Sequence, residues 1–401
     1  MYAMVDEIET HLKEKLFSFW KGLRDEENGG YYGYKDYDLA IDPHYEKGCI
    51  LNSRILWFFS NGYGLFGEEY LREAADHAYK FMVEHCWDHE YGGVFWSVEY
   101  DGKVKDSTKH THNQAFAIYA LSSYYNAGKD RDEVKAGNAL NRAMELFGLI
   151  EDKCTDEYGY LEAFSRAFEP AGNDKLSENG VLADKTMNTL LHVFEAYTEL
   201  YRVSHKKEVA ERMKSILDIF QNKIFNKAIG RQEVFFDREY NTLIDLYSYG
   251  HDIETAWLID RGLDILGDSG YKERLAPMTK ALAENIYQRA FDGNSVLTEA
   301  ENGVDDMVRV WWVQAESIVG FINEGQKCDE AAGEKYFQAA ESIWNYIKSY
   351  FIDKREGSEW FWSVKPDGMP VEKPIVEPWK CPYHNGRMCM EVVRRLKLSD
   401  S

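Results

Sequence analysis

Asp25-Glu-Glu-Asn-Gly-Gly-Tyr-Tyr-Gly33 reads as a turn running into a short aromatic strand, and the chain uses it again. Asp88-His-Glu-Tyr-Gly-Gly-Val-Phe-Trp96 repeats it closely, and Asp156-Glu-Tyr-Gly-Tyr160 repeats it in shortened form. Fainter versions lie near Asn226, at Asp292-Gly293 and around Asp353-Lys-Arg-Glu-Gly357, so successive turns are 63, 68, 70, 66 and 61 residues apart. Self-similarity at a near-constant period marks a repeated structural unit. With six such units and no Pro/Gly/Ser-rich linker between them, the expectation is one closed array, a single catalytic domain over residues 1–401.

The surroundings of each turn follow one grammar. An amphipathic helix precedes it, as in Tyr70–Met82, with counterparts over about 5–22, 134–150, 206–222, 271–290 and 333–350. A helix apolar around most of its circumference follows, as in Ile50–Ser60 or Gln114–Tyr125; helices of that kind are buried. Asp101-Gly102 and Asp367-Gly368 mark hairpin turns between short strands. Six outer and six inner helices with short β-hairpins predict an all-α fold, an (α/α)6 barrel. If the array closes, the inner helices run the same way and their N-termini share one mouth.

Composition bounds the function. The 401 residues are 44% hydrophobic with 27 Tyr, 21 Phe and 11 Trp, ample for a large core. A formal charge of −22 argues against nucleic acid, whose backbone calls for basic patches. The six cysteines form no CxxC pair, so a reducing compartment is expected over a disulfide framework. The N-terminal stretch is charged and amphipathic with no signal-peptide core, and no apolar run reaches the roughly 18 residues of a membrane span. The protein is expected to be cytoplasmic, a monomer or weak homo-oligomer, with a small-molecule substrate as its partner.

The polar residues near the inner-helix starts narrow this further. They are Arg54; His110, His112 and Asn113; Asn188 and His192; His251 and Glu254; Trp311, Trp312, Gln314 and Glu316; and Trp379 and His384. In Ser248-Tyr-Gly-His-Asp-Ile-Glu-Thr-Ala-Trp-Leu258 a helix is expected to begin near His251. Glu254, three residues on, then shares its face and can hold the imidazole. Such a histidine suits proton transfer near neutral pH, or it simply caps or packs the helix. Asn188 and His192 share a face at i,i+4, as substrate ligands or as satisfied core groups. Trp311 and Trp312 point to different faces, so one of them is expected to line the pocket. Arg54, inside an apolar run, calls for a partner or ligand. His110-Thr-His112 has the spacing of a metal pair but no neighbouring third ligand, and no metal is expected. His11, His77, His85, His89 and His205 fall on outer helices or turns and are expected at the surface.

Indole platforms beside hydrogen-bonding side chains suit sugar rings. Recurrent histidines suit removal of a proton next to a carbonyl, with an arginine near the developing enolate oxygen. At this point Asn28–Gly33, Ser53–Phe58, Lys109–Tyr125, Ala183–Asn188, Ser248–Leu258, Arg309–Glu316 and Pro378–Met390 come together. Through them the chain resembles the N-acylglucosamine 2-epimerase superfamily and, within it, the cellobiose 2-epimerases. The resemblance implies an (α/α)6 barrel and reversible epimerisation at C2 of the reducing-end glucose of β-1,4-linked disaccharides, without metal or redox cofactor. It implies that His251 and His384 are the acid/base pair at C2 and that His192 assists ring opening. Arg54, Asn188, Glu254, Trp312 and Trp379 match substrate-holding or orienting positions. His112 stands where the family pattern usually has tyrosine.

Alternatives stay open on the residues alone. One is an aldose–ketose isomerase or a monosaccharide 2-epimerase of the same superfamily. Another is an (α/α)6 glycoside hydrolase using Glu254 with Glu316 or Asp184, and a third is a non-catalytic sugar-binding barrel. Trp96, Trp360, Trp362 and Trp379, on the hairpins and the loop before His384, are expected to offer stacking surfaces to a second sugar ring.

Overall fold

The computed structural model describes residues 2–175 and 180–398. The first outer rod is α1 (Tyr2–His11) and α2 (Phe17–Lys21), joined through a wider turn at Leu12–Leu16, and the first inner helix is α3 (Cys49–Phe66). Then follow outer α4 (Glu69–Phe81) with inner α5 (Thr111–Gly128), and outer α6 (Glu133–Lys153) with inner α7 (Met187–Ser204). The second half repeats this with α8 (Lys207–Ile219) and α9 (Tyr249–Leu266), α10 (Ser269–Arg289) and α11 (Trp311–Lys327), and α12 (Glu330–Tyr346) and α13 (His384–Leu396).

The inner helices form a closed ring: α3 packs on α5, α5 on α7, α7 on α9, α9 on α11, α11 on α13, and α13 back on α3. Each inner helix also packs on the outer helix after it in sequence, and α13 packs on α1, so the two ends of the chain complete the circle. This is the (α/α)6 barrel read from the repeat. The amphipathic outer helices bury one stripe. The inner ones are enclosed almost throughout, α5 from Thr111 to Tyr124 without interruption, as apolar circumference requires.

A second ring, made of strands, holds the mouth. The two or three residues before an inner helix pair antiparallel with a strand of the next unit. Lys47–Gly48 pairs with Ser97–Val98, Lys109–His110 with Ala163–Phe164, and Lys185–Thr186 with Phe235–Phe236. Leu246–Ser248 pairs with Glu299–Glu301, and Arg309–Val310 with Ser363–Val364. A bridge between Lys35 and Val376 links the first unit to the last.

The recurrent turn now has a physical reason. Asp25 Oδ1 accepts the N–H groups of Glu27 and Asn28, and Oδ2 accepts Lys47 Nζ at 2.6 Å. Asp88 and Lys109, Asp156 and Lys185, and Asp292 and Arg309 repeat the pairing at 3.0, 2.6 and 2.7 Å. Each basic residue lies two positions before its inner helix, so the turn carboxylate fixes where that helix starts. Burial works against ionising Asp25, but Lys47 and the turn N–H groups outweigh it and hold the carboxyl below its usual range.

Candidate active site

The ring brings side chains to its axis in a regular way. Arg54, Phe116, His192, Glu254 and Glu316 are each the sixth residue of an inner helix, and all are at most 3% exposed. His112, Asn188 and Trp312 are second residues of theirs. His384 opens α13 and His251 is third in α9. These positions lie near the inner-helix starts, although several of their partners differ from expectation.

His251 is not held by Glu254. Its Nδ1 meets Ser248 Oγ at 2.7 Å, and its ring lies against Trp312, centroids 4.7 Å apart. The helix begins earlier than predicted, at Tyr249, with Ser248 preceding it. That places Ser248 one turn below His251, while Glu254 turns to the axis, where Arg387 Nη2 lies 2.5 Å from its Oε1. Glu316 holds the other histidine: its Oε1 is 2.7 Å from His384 Nδ1 and 2.7 Å from Arg387 Nη2. Trp257 Nε1 donates to the second Glu316 oxygen at 2.9 Å. Across the axis, His192 Nδ1 meets Glu195 Oε2 at 3.0 Å, and Glu195 also accepts from Tyr383 Oη and Arg387 Nη1. All three histidines are therefore tied at Nδ1. None of their Nε2 atoms has a hydrogen-bond partner among the described residues.

Trp312 answers the question left by the adjacent tryptophans. It is half-buried and touches both His251 and His384, the latter at 5.3 Å. Trp311 is 3% exposed and packs on Trp362 at 4.9 Å, so of the two indoles Trp312 is the one set against both histidines. Gln314, expected near the pocket, instead clamps the N–H and C=O of Val296.

Arg54 has no carboxylate partner among the described residues. Its guanidinium lies over Phe116 at 4.1 Å and Tyr383 at 4.8 Å, with Cys381 Sγ at 3.5 Å, and Nε is unsatisfied. A buried cation without a counter-ion is costly unless a ligand supplies one. Nearby, both ring nitrogens of His112 and the side-chain oxygens of Asn113 and Asn188 are also buried without a partner. His112 stands edge-on to His192 at 5.1 Å and 5.9 Å from Trp379, which in turn faces Trp96 at 5.8 Å. A small cavity of about 30 Å³ opens between Asn188, Ser248 and His251.

The electrostatics favour neutral bases. Burial drives His251 down to about 3, helped by nearby His192. Burial also holds His384 well below its ordinary value, with Arg387 and Arg54 adding to the effect. His192 is lowered by burial against the opposing pull of Glu195. Glu254 and Glu316 are raised by burial, Glu254 further by its neighbour Glu316. Ligand atoms of Glu254, Glu316 and His384 lie within 4.8 Å of one another, close enough for a divalent cation. Arg387 Nη2, bonded to both carboxylates, supplies the positive charge there instead.

Two expectations outside the centre are corrected. Trp360 is fully buried, its Nε1 bonded to His11 Nε2 at 2.8 Å, so it offers no surface to a sugar. The same contact makes His11 half-buried, not a surface residue, and His77 is likewise half-buried with Nε2 on Gly30 O at 2.8 Å. Ser248, Glu195, Tyr383 and Arg387 were missed. Glu195 repeats the i,i+3 spacing to histidine that singled out Glu254, and Arg387 opens a short apolar run, Met388-Cys-Met390, much as Arg54 opens Ile55–Phe59.

A family model for N-acylglucosamine 2-epimerase (GlcNAc 2-epimerase) matches residues 29–386. The chain belongs to the N-acylglucosamine 2-epimerase family. Among curated relatives, the cellobiose 2-epimerase of Eubacterium cellulosolvens is 48% identical over 400 residues, 96% of each chain. That of Ruminococcus albus is 48% identical over 393 residues, covering 98% of this chain and 99% of the relative. The solved cellobiose 2-epimerase of Bacillus thermoamylovorans B4167 superposes with a TM-score of 0.93 at 44% identity, covering 99% of this chain and 100% of that one. The family's closed helical barrel is thus retained over the full described length.

Proposed function

We propose that this enzyme inverts C2 of the reducing-end glucose of β-1,4-linked disaccharides, converting cellobiose to glucosyl-mannose and lactose to epilactose. The observation that carries this is the pair His251 and His384 against the one indole of Trp312, with Arg54, which has no carboxylate partner among the described residues, near enough to His384 for its charge to act there. His192, oriented by Glu195, helps open the pyranose, because only the aldehyde makes the C2 proton acidic. His384, with Glu316 accepting its Nδ1–H, presents a bare Nε2 and takes that proton. The resulting imidazolium rests on the carboxylate, and the enediolate oxygen on Arg54. Rotation about C2–C3 turns the other face to His251. The Ser248 oxygen can accept Nδ1–H, so His251 takes up a solvent proton at Nε2, drawn by the enediolate charge, and delivers it to C2 while His384 releases its own proton to solvent. In the reverse direction the two histidines exchange roles. His112, Asn188, Glu254, Trp312 and Trp379 bind or orient the sugar, with Trp311 packed behind.

The geometry disfavours hydrolysis. A glycosidase needs two carboxyl groups about 5–9.5 Å apart flanking the scissile bond, whereas Glu254 and Glu316 converge on one arginine nitrogen. Asp184 lies at the rim, 49% exposed and 3.7 Å from Arg238. The reading needs no metal or redox cofactor. It treats residues 1–401 as one catalytic domain, a monomer or weak homo-oligomer. Six free thiols support a reducing, cytoplasmic setting, and no helix among the described residues is long and apolar enough to cross a membrane.

The test is turnover of cellobiose and lactose in heavy water, with every product identified by NMR. Epimeric disaccharide carrying deuterium at C2 is expected. Retention of the original C2 hydrogen, release of monosaccharide, or ketose as the main product would each overturn the reading.

A further inference from the structure

We infer that Arg387 is a positioning residue that couples the ring-opening histidine, His192, to the proton-transfer histidine, His384. The inference rests on the roles proposed above. The two histidines come from α7 and α13, and one guanidinium reaches the carboxylates of both. On one edge Nη1 bonds Glu195 Oε1 at 2.5 Å, whose other oxygen meets His192 Nδ1 at 3.0 Å. On the other edge Nη2 bonds Glu316 Oε1 at 2.7 Å, and that oxygen meets His384 Nδ1 at 2.7 Å. Glu254 joins the second edge, Tyr383 Oη the first.

The group is enclosed and crowded with charge. Arg387 is 1% exposed, its guanidinium 4.2 Å from the Tyr383 ring and 4.8 Å from that of Trp257. It faces Glu195 on α7, Glu254 on α9 and Glu316 on α11, with Tyr383 and His384 beside it. Tyr119 on α5 feels its charge, and Arg54 on α3 is the other cation acting on both histidines. Only a planar fork can serve carboxylates on two edges at once. By anchoring Glu195 and Glu316, Arg387 keeps each Nδ1–H pointed at an acceptor and each Nε2 turned to the substrate. It also carries a charge change on one side to the other.

The experiment separates two partial reactions of the full-length enzyme: interconversion of cellobiose anomers, which reports ring opening, and exchange of the C2 hydrogen in heavy water. Arg387→Lys keeps the charge and loses the fork, and both rates per folded molecule are expected to fall by about tenfold or more. Glu195→Gln removes one charge on the His192 side. It should slow ring opening and move the acidic limb of the C2-exchange profile down by about one pH unit, the effect of an elementary charge about 10 Å away at an effective dielectric of about 20. A role confined to folding would lower the melting temperature and leave that limb in place. A folded Arg387→Lys enzyme with either partial rate within about twofold of the parent would overturn the inference, as would an unmoved limb in Glu195→Gln; should Arg387→Lys not fold, the limb decides. Absence of C2 exchange in the parent enzyme would instead overturn the reaction proposed above.

Discussion

Ser248 is the residue on which His251 depends. With Oγ 2.7 Å from Nδ1, it fixes the ring without fixing the tautomer. A hydrogen bond of this kind is worth about 1–1.5 kcal/mol, close to a factor of ten in rate. Ser248→Ala is therefore expected to lower kcat on cellobiose by about tenfold with KM little changed, which steady-state kinetics will show. Gly250, its neighbour but one, makes room for Trp312: a Cβ there would lie 2.5 Å from the far edge of the indole and 2.7 Å from Val313. Overpacking costs about 1–3 kcal/mol and moves side chains. Gly250→Ala should keep the fold and lose most of its C2 exchange, because the displaced indole touches both histidines. Unchanged exchange would detach Trp312 from the reaction.

At the scale of the element, α3, α5, α7 and α11 are each started and aimed by an ion pair made two positions before the helix. Lys47 is held by Asp25, by Gly29 O at 2.7 Å and by Tyr100 O at 2.8 Å, and both charged side chains are at most 1% exposed. Such a pair contributes little net stability, yet removing one partner leaves a buried charge and costs about 3–5 kcal/mol. Asp25→Ala is expected to lose that much in urea denaturation, and the double variant Asp25→Ala with Lys47→Met to recover part of it. The fourth unit lacks the pair: Tyr247 stands two positions before α9, with Arg231 stacked on its ring at 5.0 Å. There Asp252 is buried, accepts Gln232 Nε2 at 2.8 Å, and is pushed by burial up to about 8. A carboxyl raised on folding adds stability below its unfolded pKa of about 4 and loses it as pH rises through the folded value. Asp252→Asn should match the parent near pH 4 and become progressively the more stable of the two toward pH 8, by thermal melting at each pH. A constant difference across that range would mean that Asp252 is not protonated in the fold.

For the whole molecule, the mouth sets substrate length. Trp379 is half-buried, within reach of Trp96 and His112, and can stack on a ring beyond the reacting one. Stacking is worth about 1–3 kcal/mol by analogy with nucleobases, roughly 5- to 150-fold. kcat/KM is expected to favour cellobiose clearly over glucose, and Trp379→Ala to narrow the gap. Trp360→Ala should leave that ratio alone and instead cost about 3–5 kcal/mol of stability, the usual cost of truncating a core aromatic. Equal kcat/KM values for the two sugars would favour a monosaccharide enzyme.

The repeat, the helical periods and the residues near the inner-helix starts were legible in the sequence, because each depends on spacing along a local segment. Six turns at near-equal intervals require six units, and an apolar circumference requires enclosure. Which partner each side chain takes was not legible. Glu254 lies at the right interval from His251, but an i,i+3 spacing only permits a contact. The contact goes to Arg387, 133 residues away in sequence and 2.5 Å away in space. Trp360 likewise has the composition of a sugar platform, and its place under α1 depends on how the last unit closes onto the first. Local sequence determined which residues lie at the axis. Closure of the ring decided how they pair, because a desolvated charge takes the partner that the packing brings within reach.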